Sequence, residues 1–204
     1  LHKPKIEWML HSSLQAERRQ EIELSRLYNE YKTYATQGQP LDAATQLDTL
    51  SKYARFYRAM TERDVSTPIG NFGNRIAAHE ASPVHPLALL IATHAANATD
   101  QKKMFDDLVS FIVRRAVCGV TAKNYNSFFL ATLRHLARDG VRPEVLHAIL
   151  SSGTGQVSKW PHDDEFKHAL VTAPLYPGRL DAPKMRWLLT ELEARSRVSR
   201  RSEE

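Results

Sequence analysis

Apolar residues recur at three- and four-residue steps along nearly all of the 204-residue chain, and no stretch alternates strictly between apolar and polar. The first pattern lines one face of an α-helix, whereas a half-buried strand requires the second. The fold class that follows is all-α: a single irregular multi-helix domain of about eight helices, with no sheet. Unequal helix lengths argue against a solenoid repeat.

Leu24, Leu27, Tyr28, Tyr31 and Tyr34 predict one long helix over residues 14–34, ended by Gly38-Gln39-Pro40. Leu47, Leu50, Tyr53, Ala54 and Tyr57 predict a second over about 42–62, antiparallel to the first. Ser66-Thr67-Pro68-Ile69-Gly70 reads as a break, followed by a short helix over about 71–79. Pro86 suits a first helical turn, and the almost wholly apolar run after it marks a short helix buried on most sides, the expected centre of the core.

Thr99 or Asp100 is the expected cap of the next helix, whose stripe is Met104, Leu108, Phe111, Ile112 and Arg115, with Gly119 ending it. Thr121 then caps a helix carrying Tyr125, Phe128, Phe129, Leu133 and Leu136, which stops at Asp139-Gly140. Pro143 opens another to Leu150, before a flexible break at 151–155. His162 or Asp163 caps a helix to about 172, a turn covers 173–178, and Asp181 begins a last helix with Met185, Leu188, Leu189 and Leu192 on one side. The expected division is a helical domain over 1–194 and a basic tail or linker over 195–204, where Arg195, Arg197, Arg200 and Arg201 sit among serines.

One cysteine, Cys118, excludes an intramolecular disulfide and a cysteine-based zinc site, and fits a reducing, cytoplasmic location. The longest apolar run, 86–92, is too short to span a membrane, so no membrane partner is expected. Lys3, Lys5 and Glu7 stand where a signal peptide would be apolar, and Leu1 in place of methionine suggests a piece of a longer protein. The net charge of +5, with pI near 9.4, favours an anionic partner only if concentrated, and outside the tail it is not. Oligomeric state is not readable from these features.

Two charges stand where core is expected. Arg114 and Arg115 are successive, so they point about 100° apart on the helix and need separate explanations. Arg115 follows Phe111 by one turn; its stem belongs on the core stripe, with the guanidinium reaching carbonyls or a carboxylate. The functional reading joins Arg114, Arg115 and Lys123 with the amides of residues 121–123 as a corner for a DNA-backbone or nucleotide phosphate. Such a corner gives no sequence specificity.

Catalytic motifs are missing. The nine histidines are not spaced to align two rings on a helix face, as at His79 and His85, and His162-Asp163 lacks the context of a phosphohydrolase metal site. Cys118 has no nucleophile motif, and Gly70-Asn-Phe-Gly73 and Gly153-Thr-Gly155 are not phosphate loops. No catalytic residue, metal ligand or cofactor site is assigned. Tyr28, Tyr31, Tyr34, Tyr53, Phe56 and Tyr57 could stack bases, but their periodicity favours core packing.

Taken together, Leu27-Tyr-x-x-Tyr-Lys32, the 50–57 segment, Pro86-Leu87, Val113-Arg-Arg-Ala-Val-Cys-Gly119, Lys123 with Asn126, Trp160-Pro161 with Phe166, Leu175-Tyr176 and Leu188-Leu-x-x-Leu-Glu193 resemble, in order and spacing, the helical middle of GmrSD-type restriction proteins. The Arg-Arg-x-x-Cys-Gly element is the most specific. The resemblance implies bacterial anti-phage defence against modified DNA, with a nucleotide-dependent ParB-like sensor before this region and a metal-dependent HNH nuclease after it. Those flanking domains would be the partners, with DNA a further candidate. Nucleotide and divalent metal would belong to them, because neither the sensor's Gln-Gln-Arg-type motif nor the nuclease histidine occurs in this sequence. The implied role is a non-catalytic helical scaffold. A freestanding adaptor and a DNA-backbone-binding module are the alternatives.

Overall fold

A computed structural model describes residues 6–36 and 42–202, with side chains described to 194. The described residues are all helical, without a strand, and form a single compact unit. Among the described residues there are ten α-helices, or eleven helical segments if the wide turn at Leu175–Arg179 is counted, against the eight or so expected.

One added helix comes from the amino-terminal pattern. Instead of one helix over 14–34 there are two, α1 (Ile6–Arg18) and α2 (Leu27–Thr36), separated by a left-handed Arg19 and a short 3-10 turn at Leu24–Arg26. No glycine or proline marks this break. Ile22 turns into the core, and its carbonyl meets His11 Nε2 at 2.7 Å. From α7 (Tyr125–Asp139), Arg134 Nε donates to the Arg19 carbonyl at 2.7 Å, holding the frayed end of α1. Burying Ile22 outweighs continuing the helix.

Helix α3 (Ala43–Glu62) starts where Asp42 accepts from Thr45 N, close to its expected bounds, and ends at left-handed Arg63. Residues 37–41, where the first helix was expected to end, lie outside the described residues. The expected break at 66–70 is instead the start of α4 (Pro68–Ile76): Thr67 caps through Gly70 N and Pro68 occupies the first turn. Gly70 and Gly73 lie one turn apart, Gly70 against the Asp64 carbonyl in the connection before α4 and Gly73 against α3. A Cβ on Gly73 would overlap the Met60 carbonyl, so this close approach requires the glycine.

Helix α5 (His85–His94), opened by Pro86, is buried from Pro86 to Ala92 and touches α1, α3, α4, α6 and α7. It is the centre of the core, as its apolar run predicts. Helix α6 (Ala98–Val117) is capped by Asn97, two residues before Thr99: the Asn97 side chain accepts from Asp100 N and donates to the Asp100 carboxylate. Its other flank meets α8 (Pro143–Ser151) and α9 (Asp163–Thr172).

Helix α10 (Ala182–Ser202) continues into the residues expected to form a tail. It is anchored by buried Leu188, half-buried Met185 and Trp187, and a ring contact from His79 to Trp187 at 4.9 Å; Leu189 and Leu192 remain exposed. No helix among the described residues is long and apolar enough to cross a membrane.

Both His79 ring nitrogens are buried without a hydrogen-bond partner. Burial, with Lys184 adding to it and Asp181 opposing, lowers the His79 pKa to about 4; burial alone brings His85, beside the Tyr57 ring, to about 4. Burial also lowers His94. The unfolded chain therefore binds more protons than the folded one between about pH 6.5 and 4, and stability falls as pH drops through that window. Each of the two histidines contributes a slope of up to about 1.4 kcal/mol per pH unit. Urea unfolding at pH 7, 6 and 5 should show this decline, and His79→Leu should make it shallower, leaving the part due to His85 and His94; a level wild-type profile would contradict the buried, unpaired state.

Candidate functional site

The paired arginines end α6 in two different environments. Val120 N donates to the Arg115 carbonyl at 2.8 Å and Gly119 N to the Ala116 carbonyl at 3.2 Å, with Gly119 at φ +70°. This double-bonded helix end, which favours glycine, is the termination the sequence suggested. Arg179, from the turn before α10, lies over Gly119 and donates from Nη1 to the Val117 carbonyl at 2.9 Å. Its cation complements the negative end of the helix.

Arg115 is 0% exposed. Its Nη1 donates to the Lys159 carbonyl at 2.9 Å, and its Nη2 to the carbonyls of Thr121 at 2.6 Å and Gln156 at 3.1 Å. Among the described residues no carboxylate pairs with it, and its Nε has no acceptor. The compensation comes from three backbone dipoles and two aromatic faces: its guanidinium carbon lies 5.0 Å from the Phe111 ring centre and 5.4 Å from that of Tyr125. The side chain joins three separated pieces of chain: the end of α6, the α6–α7 connection and the α8–α9 connection.

Arg114 points the other way. Its Nε donates to Ser110 Oγ at 2.9 Å, its Nη1 to the Pro161 carbonyl at 3.1 Å, and its Nη2 to Asp163 at 2.5 Å. The guanidinium holds the Asp163 carboxyl below its usual pKa, and it rests against the Phe166 and Trp160 rings at 5.2 and 5.9 Å. Trp160 also meets Phe111 at 6.0 Å. Arg-Arg, Trp-Pro and Phe166, far apart in sequence, thus form one aromatic and cationic knot.

Lys123 stays outside it. Its side chain is exposed, and its backbone amide is taken by Thr121 Oγ1 at 3.1 Å. Helix α7 begins at Tyr125 after a left-handed Asn124, not at a Thr121 cap, so the amides of residues 121–123 are not a helix amino-terminus. The guanidinium donors that a phosphate would use in Arg114 and Arg115 are already bonded within the protein. The pieces of the phosphate corner are neighbours in sequence, yet the structure joins only the two arginines.

Arg179 is the participant that sequence reading missed, since a Pro-Gly turn carries no periodicity. Cys118, on the same helix end, is half-buried, and burial raises its thiol pKa, opposite to what a nucleophile needs. The tyrosines divide: Tyr53 and Tyr57 are core, Tyr28 is exposed, and Tyr53 donates to Glu17 at 2.6 Å. Among the described residues, no group of three or more His, Cys, Asp or Glu side chains could hold a metal ion.

Comparison with family models, curated proteins and solved structures finds no match.

Arg115→Met should lose about 3 kcal/mol or more in urea unfolding, because it strands three buried carbonyls. Arg115→Lys keeps the charge but not the fork and should recover only part of this. Arg114→Ala, whose Asp163 partner faces solvent, should cost less than either. An Arg115→Met protein as stable as wild type would overturn this role.

Proposed function

We propose that the chain is the helical middle of a GmrSD-type, modification-dependent DNA restriction protein, a non-catalytic scaffold that couples a nucleotide-dependent DNA-sensing domain to an HNH endonuclease domain. The observation that carries this reading is the meeting of its most specific motif, Arg114 and Arg115, with Trp160, Pro161 and Phe166 in one knot, where Arg115 and Pro161 are buried and the rest half-buried. Residues that define a family by packing, not by chemistry, suit a region that transmits force between other domains. Nucleotide and divalent metal are assigned to those flanking domains, and the setting is cytoplasmic defence against phage DNA.

Transmission requires a body stiff enough to move as a unit. Arg115 ties the α6–α7 and α8–α9 connections to α6, so the loops most able to absorb a displacement are pinned. Under this reading the arginines are structural and Lys123 alone remains open to a phosphate.

A second reading, an adaptor that binds another protein, draws on α10, where Leu189 is 54% and Leu192 48% exposed. Leu189→Glu with Leu192→Glu would abolish an adaptor's capture of its partner, whereas a scaffold would keep restriction activity.

The test joins this chain to its adjoining reading frame. Cleavage of modified DNA should require all three parts in one polypeptide, and this chain alone with Mg²⁺ or Mn²⁺ should cut nothing. For the isolated chain, DNA binding should be weak, and Arg114→Ala with Lys123→Ala should leave its salt slope nearly unchanged. A slope lower by about two would favour a DNA-backbone module instead.

A further inference from the structure

A cleft of about 390 Å³ opens between α1, α5 and α7, away from the arginine knot. Residues 8, 11, 12 and 15 present one face of α1 to it, and residues 126, 129, 130 and 133 one face of α7. Its apolar floor is Ile22, Leu87, Phe129 and Leu133. The size falls in the range of small-molecule sites.

Polar side chains line the cleft around this floor. Buried Ser13 and Thr132 donate to the carbonyls of Leu10 and Phe128, each at 3.0 Å. Ser12 lines the cleft, is only 4% exposed, and makes no side-chain hydrogen bond among the described residues. Half-buried Gln15 and His85 and exposed Ser82 and Asn126 line the same space, and their side chains make no hydrogen bond among the described residues. Five polar side chains set around an apolar floor, two of them at its solvent-facing edge, are the composition of a ligand site.

Charge narrows the ligand. No lysine or arginine lines the cleft, and exposed Glu21 stands on its rim. His85 is neutral at ordinary pH, because burial lowers its pKa to about 4. At the α1 end, Trp8 is 45% exposed and meets His11 edge-on at 6.1 Å, leaving an aromatic surface for a cation.

We propose that this cleft binds a small aromatic or heteroaromatic ligand that is neutral or singly positive, with its ring on the apolar floor, its polar atoms on Ser12, Gln15 and Asn126, and any ammonium toward Glu21. Anions are excluded, since no cation lines the cleft to offset their desolvation. The site is independent of the scaffold reading, as it shares no residue with the arginine knot.

Three probes with one ring test it: tryptamine, indole-3-acetamide and indole-3-acetate, titrated into the ¹⁵N-labelled protein by heteronuclear NMR. Tryptamine and the amide should saturate shifts in α1 and α7, and the acetate should bind at least about tenfold more weakly. Glu21→Gln, on the exposed rim, should weaken tryptamine by about fivefold, the scale of one solvent-exposed ion pair, and leave the amide unchanged. Leu130→Trp should fill the cleft and abolish both, with the remaining spectrum reporting that the variant is folded. The proposal is overturned if none of the probes binds, if the acetate binds as well as the amine, or if folded Leu130→Trp still binds both.

Discussion

The structure depends on one cation that has no counter-ion among the described residues. Arg115 is removed from water entirely, and its charge is met by carbonyl dipoles and ring faces in place of a carboxylate. Desolvating a guanidinium is costly, and only bonds with good geometry offset it. Those bonds go to backbone in two connections that have little secondary structure of their own. The arrangement converts a destabilising burial into a constraint on loop conformation, because the cost is met only when both connections are in place.

A second constraint operates at the centre. Helix α5 is too short to be stable alone and is apolar all round, so it exists only inside its ring of five neighbours. Gly73 on α4 lets one side of that ring close tightly on α3. The core and the arginine knot meet on α6, whose stripe runs from Met104 through Phe111 to Arg115. One helix therefore carries both the apolar packing and the buried charge.

Much of this was legible in the sequence, for identifiable reasons. The helical class, the buried run after Pro86, the Gly119 termination and the placement of Arg115 on a core stripe all follow from spacing. The partners of Arg115 do not, because carbonyls of Gln156 and Lys159 belong to every sequence alike. The break after Arg18 was hidden because it has neither glycine nor proline and is caused by the burial of Ile22, a tertiary effect. The Asn97 cap had a readable signal, an asparagine three residues before Asp100, which was passed over for nearer residues. The cleft is assembled from segments about seventy and forty residues apart, a distance no local pattern spans.

The shallow seating of α10 has a mechanical consequence. From its anchor at Trp187, the helix extends about 22 Å to Ser202 at 1.5 Å per residue. A tilt of about ten degrees at that anchor sweeps the far end through about 4 Å, a lever with its fulcrum on the His79 ring. Because that ring offers contact but no hydrogen bond, the fulcrum resists sliding only through packing. A displacement too small to disturb the core is thereby magnified at the helix tip.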